Sequence, residues 1–502
     1  MAVPELAIER FLFPRLSISR FLGDALYRNQ THDLVRQGVG GFVCFDGEII
    51  ACSEAIREIR SRAQRPLLFA ADCEFGTAMR FSGGTSFPPM MGLAIGGSGV
   101  VEEVARAIGR EMTSVGLDWN LAPVLDVNSN RANPIINVRS FGEDPESVGL
   151  HGAAYVRGLA QGGVLSCGKH LPGHGDTTVD SHIGVPTLDL SAERLQDVEL
   201  NPFHSAIRAG VDSLMSAHLR APALGAANEP VSLSAAGIAR LRSILGFDGV
   251  MITDALDMGA LERFERTEEE GIVIHAFTAG NDILELPVDP FASLEALRKG
   301  SADGRISAER RLQSSRRLHS LYQRRRVIGE SIAGPDNLDR LLNENRELAK
   351  RTARVAIRSS GDPLPDRGRT GSWHLFSGPM DQESAKAVMA GLSSIPGCTM
   401  EGLSTSLSGT IRNGPAELPP VLFLCYSPRG GAGTIGIDMT QLADLGILDG
   451  PVPWVITLGN PYLPHDLPRR GQIDLFSSTP ASIDLLAEIV TGRYHPNGSG
   501  LS

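Results

Sequence analysis

Val164-Leu165-Ser166-Cys167-Gly168-Lys169-His170-Leu171-Pro172-Gly173-His174-Gly175-Asp176-Thr177-Thr178-Val179-Asp180-Ser181-His182 begins as a short apolar run and ends as a polar loop broken by glycine and proline. A run of this length reads as a buried strand of a parallel sheet, and the loop reads as the connection leaving its C-terminal end. The unit recurs on both sides. Comparable runs lie near Phe11–Leu16, Val39–Phe45, Pro66–Ala71, Leu117–Val124, Ser213–Ala217, Val250–Thr253 and Asp282–Leu286. Amphipathic stretches such as Val101–Val115, Pro145–Leu159, Ala192–Ala209 and Ala235–Leu245 fall between them, and Phe291–Leu297 follows the last. Eight β–α repeats in about 300 residues predict a (β/α)8 TIM-type barrel, with an open doubly wound sheet as the alternative.

The ends of the runs favour the barrel. The third ends in Ala71-Asp72-Cys73-Glu74, the fourth leads to Asp126, the fifth ends in Lys169-His170, the sixth in His218, the seventh in Asp254 and the eighth in Glu285. An open sheet concentrates such residues at one crevice, whereas a barrel gathers them around a single C-terminal mouth.

Arginines crowd the stretch from Arg298 to Arg326, interleaved with Leu312, Leu318 and Leu321, and this reads as a solvated helix at a domain boundary. Gly334-Pro335-Asp336 marks a break. Beyond Asn345 a smaller doubly wound α/β domain is predicted, with strands at Arg354–Ile357, His374–Phe376, Pro420–Cys425 and Pro453–Thr457 and helices at Asp381–Leu392 and Ile483–Val490. The expected division is a catalytic barrel over 1–300, a basic helical linker over 301–344 and an α/β sandwich domain over 345–502. Gly430-Gly431-Ala432-Gly433 lacks the spacing of a phosphate-binding loop and reads as a flexible connection.

Composition narrows the function. With 47 Lys+Arg against 58 Asp+Glu the formal charge is −11, which argues against a nucleic-acid partner. Apolar residues at 42% and charged residues at 21% are globular proportions, and the 56 glycines follow no collagen-like period, so they predict many tight loops. The 6 cysteines include no C-x-x-C pair and are expected to be reduced thiols. No apolar run is long enough to span a membrane, and no basic segment followed by an apolar run opens the chain, so the expected location is cytoplasmic.

The chemistry concentrates in two segments. Six ionisable residues fall within 14 positions from Lys169 to His182. In extended backbone Asp180 and His182 project on the same side, and a carboxylate beside an imidazole orients it and stabilises its protonated form. That is the requirement of a histidine acid/base. In Gly249-Val250-Met251-Ile252-Thr253-Asp254-Ala255-Leu256-Asp257-Met258, Asp254 ends a buried strand and is either a functional carboxylate or a cap, and Asp257 on the next turn is a second capping candidate.

These segments resemble glycoside hydrolase family 3, specifically its β-N-acetylhexosaminidase (β-N-acetylglucosaminidase) branch. That branch carries K-H-[F/I]-P-G-[H/L]-G, four residues and D-[S/T]-H; Lys169 to His182 match it with Leu171 as a mild departure. Leu121 to Val127, Arg139 to Pro145 and Thr253 to Met258 are similar to three further stretches, and the likeness is ordered along roughly residues 10–300. The resemblance implies a retaining enzyme that hydrolyses terminal N-acetylglucosamine. Asp254 would be the nucleophile and His182, assisted by Asp180, the acid/base. Asp72, Arg80, Arg139, Lys169 and His170 would hold the sugar. No cofactor and no metal are implied. The implied partner is a small carbohydrate, an N-acetylglucosaminide or a muropeptide-like fragment from cell-wall recycling.

One departure bears on specificity. The family's D-Q-E-G-G-R-V-x-R appears here as Asp72-Cys73-Glu74-Phe75-Gly76-Thr77-Ala78-Met79-Arg80, so Phe75 replaces a glycine and Thr77 an arginine. Other readings stay open: a family 3 glycosidase or phosphorylase of different sugar specificity, a metal-dependent barrel hydrolase drawing on His170, His174, His182, His218, Asp180 and Asp254, or a non-catalytic sugar-binding protein.

Overall fold

The computed structural model describes residues 5–177, 184–261, 269–328 and 335–361, then segments 373–377, 400–401, 408–411, 421–425, 453–459, 461–462, 469–476 and 479–490, with 494 and 496. It divides into two compact units: Met1–Thr85, Val101–Asn130 and Ser140–Asn345 form one, and Ser86–Val100, Arg131–Arg139 and Arg346–Ser502 the other. The expected contiguous division at 300 and 345 therefore differs from the grouping observed.

The first unit is built on a curled parallel sheet. Strands β1 (Leu12–Phe13), β2 (Arg15–Ser17), β3 (Gly41–Phe45), β4 (Leu68–Ala71), β5 (Trp119–Asn120), β6 (Leu165–Leu171), β7 (Ser213–Ser216), β8 (Val250–Thr253) and β9 (Leu284–Glu285) follow the expected runs. Seven of them pair in the order β2-β3-β4-β5-β6-β7-β8, and β1 pairs in parallel with β9 through Leu12–Leu284 and Phe13–Glu285. A bridge from Ile252 to Ile283 and the bond from Thr253 N–H to Ile283 O, 3.0 Å, join β8 to the chain entering β9. The strands are buried on both faces, as parallel sheets with helical cover are.

Part of the glycine excess serves packing, not turns. In the helices Ser98–Ser114 and Pro145–Gly162, a Cβ at Gly158 would lie 2.4 Å from Glu102 O and one at Gly162 2.7 Å from Arg106 O. Only glycine allows two helices to approach so closely.

The arginine-rich stretch requires a correction. It forms the helix Ala308–Ile328, but much of its charge is buried in unit one. Arg310 and Arg317 reach Asp282 at 3.1 and 3.3 Å, Arg324 reaches Asp212 at 3.2 Å and Arg325 reaches Asp118 at 2.7 Å. Asp118, Asp212 and Asp282 stand just before β5, β7 and β9, so this helix neutralises the N-terminal end of the sheet, opposite the expected site. A solvated linker would take Arg324 from Asp212 and leave Asp118 to Arg60 and Asp282 to Arg242, at a cost on the order of a few kcal/mol.

The second unit holds a mixed sheet. Its strands β10 (Arg358–Gly361), β11 (Trp373–Ser377), β12 (Met400–Glu401), β13 (Ser408–Ile411), β14 (Val421–Cys425), β15 (Trp454–Leu458) and β16 (Gly471–Asp474) run in the order β10-β16-β15-β14-β11-β13-β12. The four central strands are parallel, while β10, and the β13–β12 pair, join antiparallel. A purely doubly wound sheet is thus not what forms. The expected strand at Arg354–Ile357 is also corrected: helix Pro335–Val355 runs through Arg354, carried by buried Leu338, Leu341, Leu342, Leu348, Ala349 and Ala353 at helical spacing. Segments Ser86–Val100 and Arg131–Arg139 belong to this unit because Met91 and Val138 pack with Phe476. The expected helix at Asp381–Leu392 and the loop at Gly430–Gly433 lie outside the described residues.

Candidate active site

The site is assembled at the C-terminal ends of the strands. Strand β6 extends two residues beyond Lys169, through His170 and Leu171, and all seven of its residues are buried. Its register against β7 shifts between Gly168 and Leu171. The chain then turns back against the segment after β5: a Cβ at Gly175 would lie 1.7 Å from Val127 O, so only glycine fits there.

Lys169 is 2% exposed and its ammonium binds two carboxylates, Asp72 at 2.7 Å and Glu74 at 2.9 Å. Arg80 pairs with the other oxygen of Asp72 and lies over the Phe45 ring, 4.5 Å from its centroid. Burial pushes the Asp72 carboxyl upward, but Lys169 and Arg80 outweigh it and hold the group below the usual carboxylate range. Replacing Lys169 by methionine should therefore take the ammonium from Glu74 and leave Asp72 to Arg80. The expected loss is about 3–5 kcal/mol in denaturant unfolding, with weakened substrate binding; an unfolding midpoint unchanged from wild type would contradict this pairing.

His170 faces a second carboxylate. Its Nδ1 lies 2.7 Å from Asp126 Oδ2, and the His174 N–H donates to Asp126 Oδ1 at 2.7 Å. Asp126 is fully buried; burial raises its carboxyl, yet His170 and these hydrogen bonds hold it below its ordinary value. His174 is pushed down to about 4, chiefly by burial, and its Nδ1 lies 2.6 Å from the Thr177 hydroxyl.

Asp254 follows β8 and accepts the Ala255 N–H at 2.8 Å. Burial works against its charge, but His170, His218, the Ala255 N–H and Lys169 prevail, so it is held ionised below the usual range. His218 is fixed between Ser232 Oγ at 2.7 Å and Ala255 O at 3.0 Å. Asp257 pairs with Arg15 at 2.6 Å. Among the described residues no group of three or more His, Cys, Asp and Glu is arranged to hold a metal ion, and no helix is long and apolar enough to cross a membrane.

The fold thus brings Asp72, Arg80, Lys169, His170 and Asp254 to one end of one sheet. Asp180 and His182 lie outside the described residues. Arg139 ends a short helical turn, with its guanidinium donating to Ile135 O at 3.0 Å, and is grouped with the second unit.

Residues 16–321 match the model of the glycosyl hydrolase family 3 N-terminal domain. The chain belongs to glycosyl hydrolase family 3. Among its relatives it is 37% identical over 279 residues to a β-hexosaminidase A of Pseudoalteromonas piscicida, a match covering 50% of this chain and 46% of that protein. The chain therefore spans about half the length of that relative. It is 25% identical over 504 residues to a β-N-acetylglucosaminidase/β-glucosidase of Cellulomonas fimi, covering 91% of this chain and 86% of that one. A solved family 3 β-N-acetylglucosaminidase from Paenibacillus sp. str. FPU-7 aligns with a TM-score of 0.78 at 27% identity, over 97% of this chain and 96% of that chain.

Two members of this family 3 site were not singled out by sequence as site residues. Glu74 stands beside Asp72 and shares Lys169; Asp126 orients His170. Both carry the signal of a carboxylate at a strand end, but only the sheet brings each to its cation. The altered segment after β4 also gains an account. Thr77 does not stand in for an arginine at a pocket wall: it is buried and its hydroxyl donates to Glu111, which also accepts the Thr85 N–H at 2.9 Å.

Proposed function

We propose that this family 3 protein is a retaining exo-β-N-acetylglucosaminidase acting on terminal N-acetylglucosamine of small glycans. The observation that carries the reading is the placement of Asp254 at the end of β8, with its carboxyl held below the usual range by His170, His218 and Lys169, at the same strand ends as the paired Asp72, Arg80 and Lys169. The relatives named β-hexosaminidase and β-N-acetylglucosaminidase support the choice of sugar. The curled sheet is read as a (β/α)8 barrel closed through Leu12–Phe13 against Leu284–Glu285.

In the first step an Asp254 oxygen attacks the anomeric carbon, the bond to the leaving oxygen breaks, and His182 passes its proton to that oxygen. In the second, water attacks the same carbon, His182 takes a proton from it, and the bond to Asp254 breaks. Asp180 orients the His182 ring. Asp72, Arg80, Lys169 and His170 hold the hydroxyls and the acetamido group, with Lys169 and Arg80 fixed in advance by Asp72 so that little ordering is needed on binding. A small cell-wall-derived fragment in the cytoplasm is the proposed natural substrate.

The test is a panel of aryl β-glycosides in phosphate and in phosphate-free buffer. The N-acetylglucosaminide is expected to give the highest kcat/KM, and free sugar as the product in both buffers. A preference for glucoside or xyloside would overturn the sugar assignment. A sugar 1-phosphate formed in phosphate buffer would replace hydrolysis by phosphorolysis, since a neutral histidine places no negative charge against an incoming anion.

A further inference from the structure

Glu285 ends β9 in the same ring of strand ends and has no part in the steps above. Its backbone is locked to the nucleophile's segment: its N–H donates to Thr253 Oγ1 at 3.2 Å, and its carbonyl accepts the Leu256 N–H at 3.1 Å. The residue is 3% exposed, and its carboxyl oxygen Oε2 is buried with no hydrogen-bond partner among the described residues. Among the described residues, the charged groups that act on it most strongly are Asp72 after β4, Lys169 of β6, and Asp254 and Asp257 after β8; the Cys167 thiol of β6 also feels it. Arg15 on β2 is committed to Asp257. Three carboxylates thus act on Glu285 against one ammonium, and that ammonium is already shared by Asp72 and Glu74.

We infer that Glu285 is a positioning residue for the sugar-holding cation: its buried, unpartnered carboxyl at the end of β9 leaves Lys169 bound to Asp72 and Glu74. Burial, then repulsion by Asp72 and Asp254, push its ionisation well above the ordinary carboxylate range, in keeping with this geometry. An isolated buried carboxylate is costly and must recruit a counter-charge. If Glu285 lost its proton, Lys169 is the nearby cation, and drawing it away would break the arrangement that holds the sugar. The effect belongs to binding, so KM should rise while kcat changes less. This inference rests on Asp254 as the nucleophile and on Lys169 as a sugar-holding residue.

The experiment compares wild type, Glu285→Gln and Glu285→Leu across pH, using an aryl N-acetylglucosaminide with a dinitrophenolate leaving group, which requires no proton from His182. Wild-type kcat/KM is expected to fall on the alkaline side through rising KM, approaching about tenfold per pH unit, whereas the plateau of either folded variant extends to higher pH. Thermal melting supplies a readout independent of activity. An acid whose folded ionisation is raised contributes stability that is complete below its unfolded value and is lost as pH rises toward the folded one. Wild type should therefore lose melting temperature relative to Glu285→Gln as pH rises. Coincident rate profiles together with a pH-independent difference in melting temperature would overturn the inference. Full activity in Asp254→Ala would instead remove the mechanism on which it rests, so the two failures are distinguishable.

Discussion

Asp254→Ala is expected to lower turnover of every glycoside by about 10⁴-fold or more, the scale seen when a covalent nucleophile is deleted. The reason is the split of one difficult displacement into two easier ones, which is lost entirely without the attacking oxygen. The fold itself should survive. Among the described residues this carboxylate accepts one hydrogen bond, from the adjacent Ala255 N–H, so the stability cost should be about 1–2 kcal/mol. A folded but inert variant is therefore the expected result, checked by melting temperature beside initial rates. Azide offers a sharper readout. In a retaining site the cavity left by the carboxylate admits a small anion on the face opposite the leaving group. Azide should then restore turnover and yield the α-glycosyl azide. Wild-type rates in Asp254→Ala, or a β-glycosyl azide, would end the assignment.

His182→Ala is expected to reduce kcat by about 10²–10⁴-fold on substrates with alkyl or sugar leaving groups, and far less on a dinitrophenyl glycoside in the glycosylation step. A poor leaving group needs a proton as its bond breaks; dinitrophenolate departs as a stable anion. Plotting log kcat/KM against leaving-group pKa should give a steep slope in the variant and a shallow one in wild type. Equal losses on both kinds of substrate would count against the acid role. Asp180→Asn should shift the slope in the same direction by a smaller amount, since it weakens the orientation and charge of the histidine without removing it.

Much of this arrangement is legible in the linear chain because its signals are local. Runs such as Leu68–Ala71 and Val250–Thr253 are apolar at every position but the closing Thr253 because their strands are buried on both faces, and that pattern needs no knowledge of partners. Asp72, Lys169, His170 and Asp254 stand out because an ionisable group directly after such a run is costly unless it serves a site. The helix Ala308–Ile328 shows where local reading stops. Its arginines have the spacing of a solvated face, yet Arg325 meets Asp118, 207 residues earlier in the chain, inside the protein. Charge pairing at that separation leaves no mark on either segment alone. The antiparallel edges of the second sheet were missed for a related reason: strand direction is a property of the pairing, not of the residues within a strand.

What the residues alone determined is the inventory: a parallel α/β unit with ionisable groups at its strand ends, a glycine-rich loop bearing Asp180 and His182, and the motifs of family 3. Tertiary structure decided which charges meet. It assigned Lys169 to both Asp72 and Glu74, His170 to Asp126, and left Glu285 among carboxylates with no ion-pair partner among the described residues. Protonation follows from those assignments, because the energy of a buried charge depends on neighbours a few ångströms away and on exclusion of water, neither of which sequence distance measures.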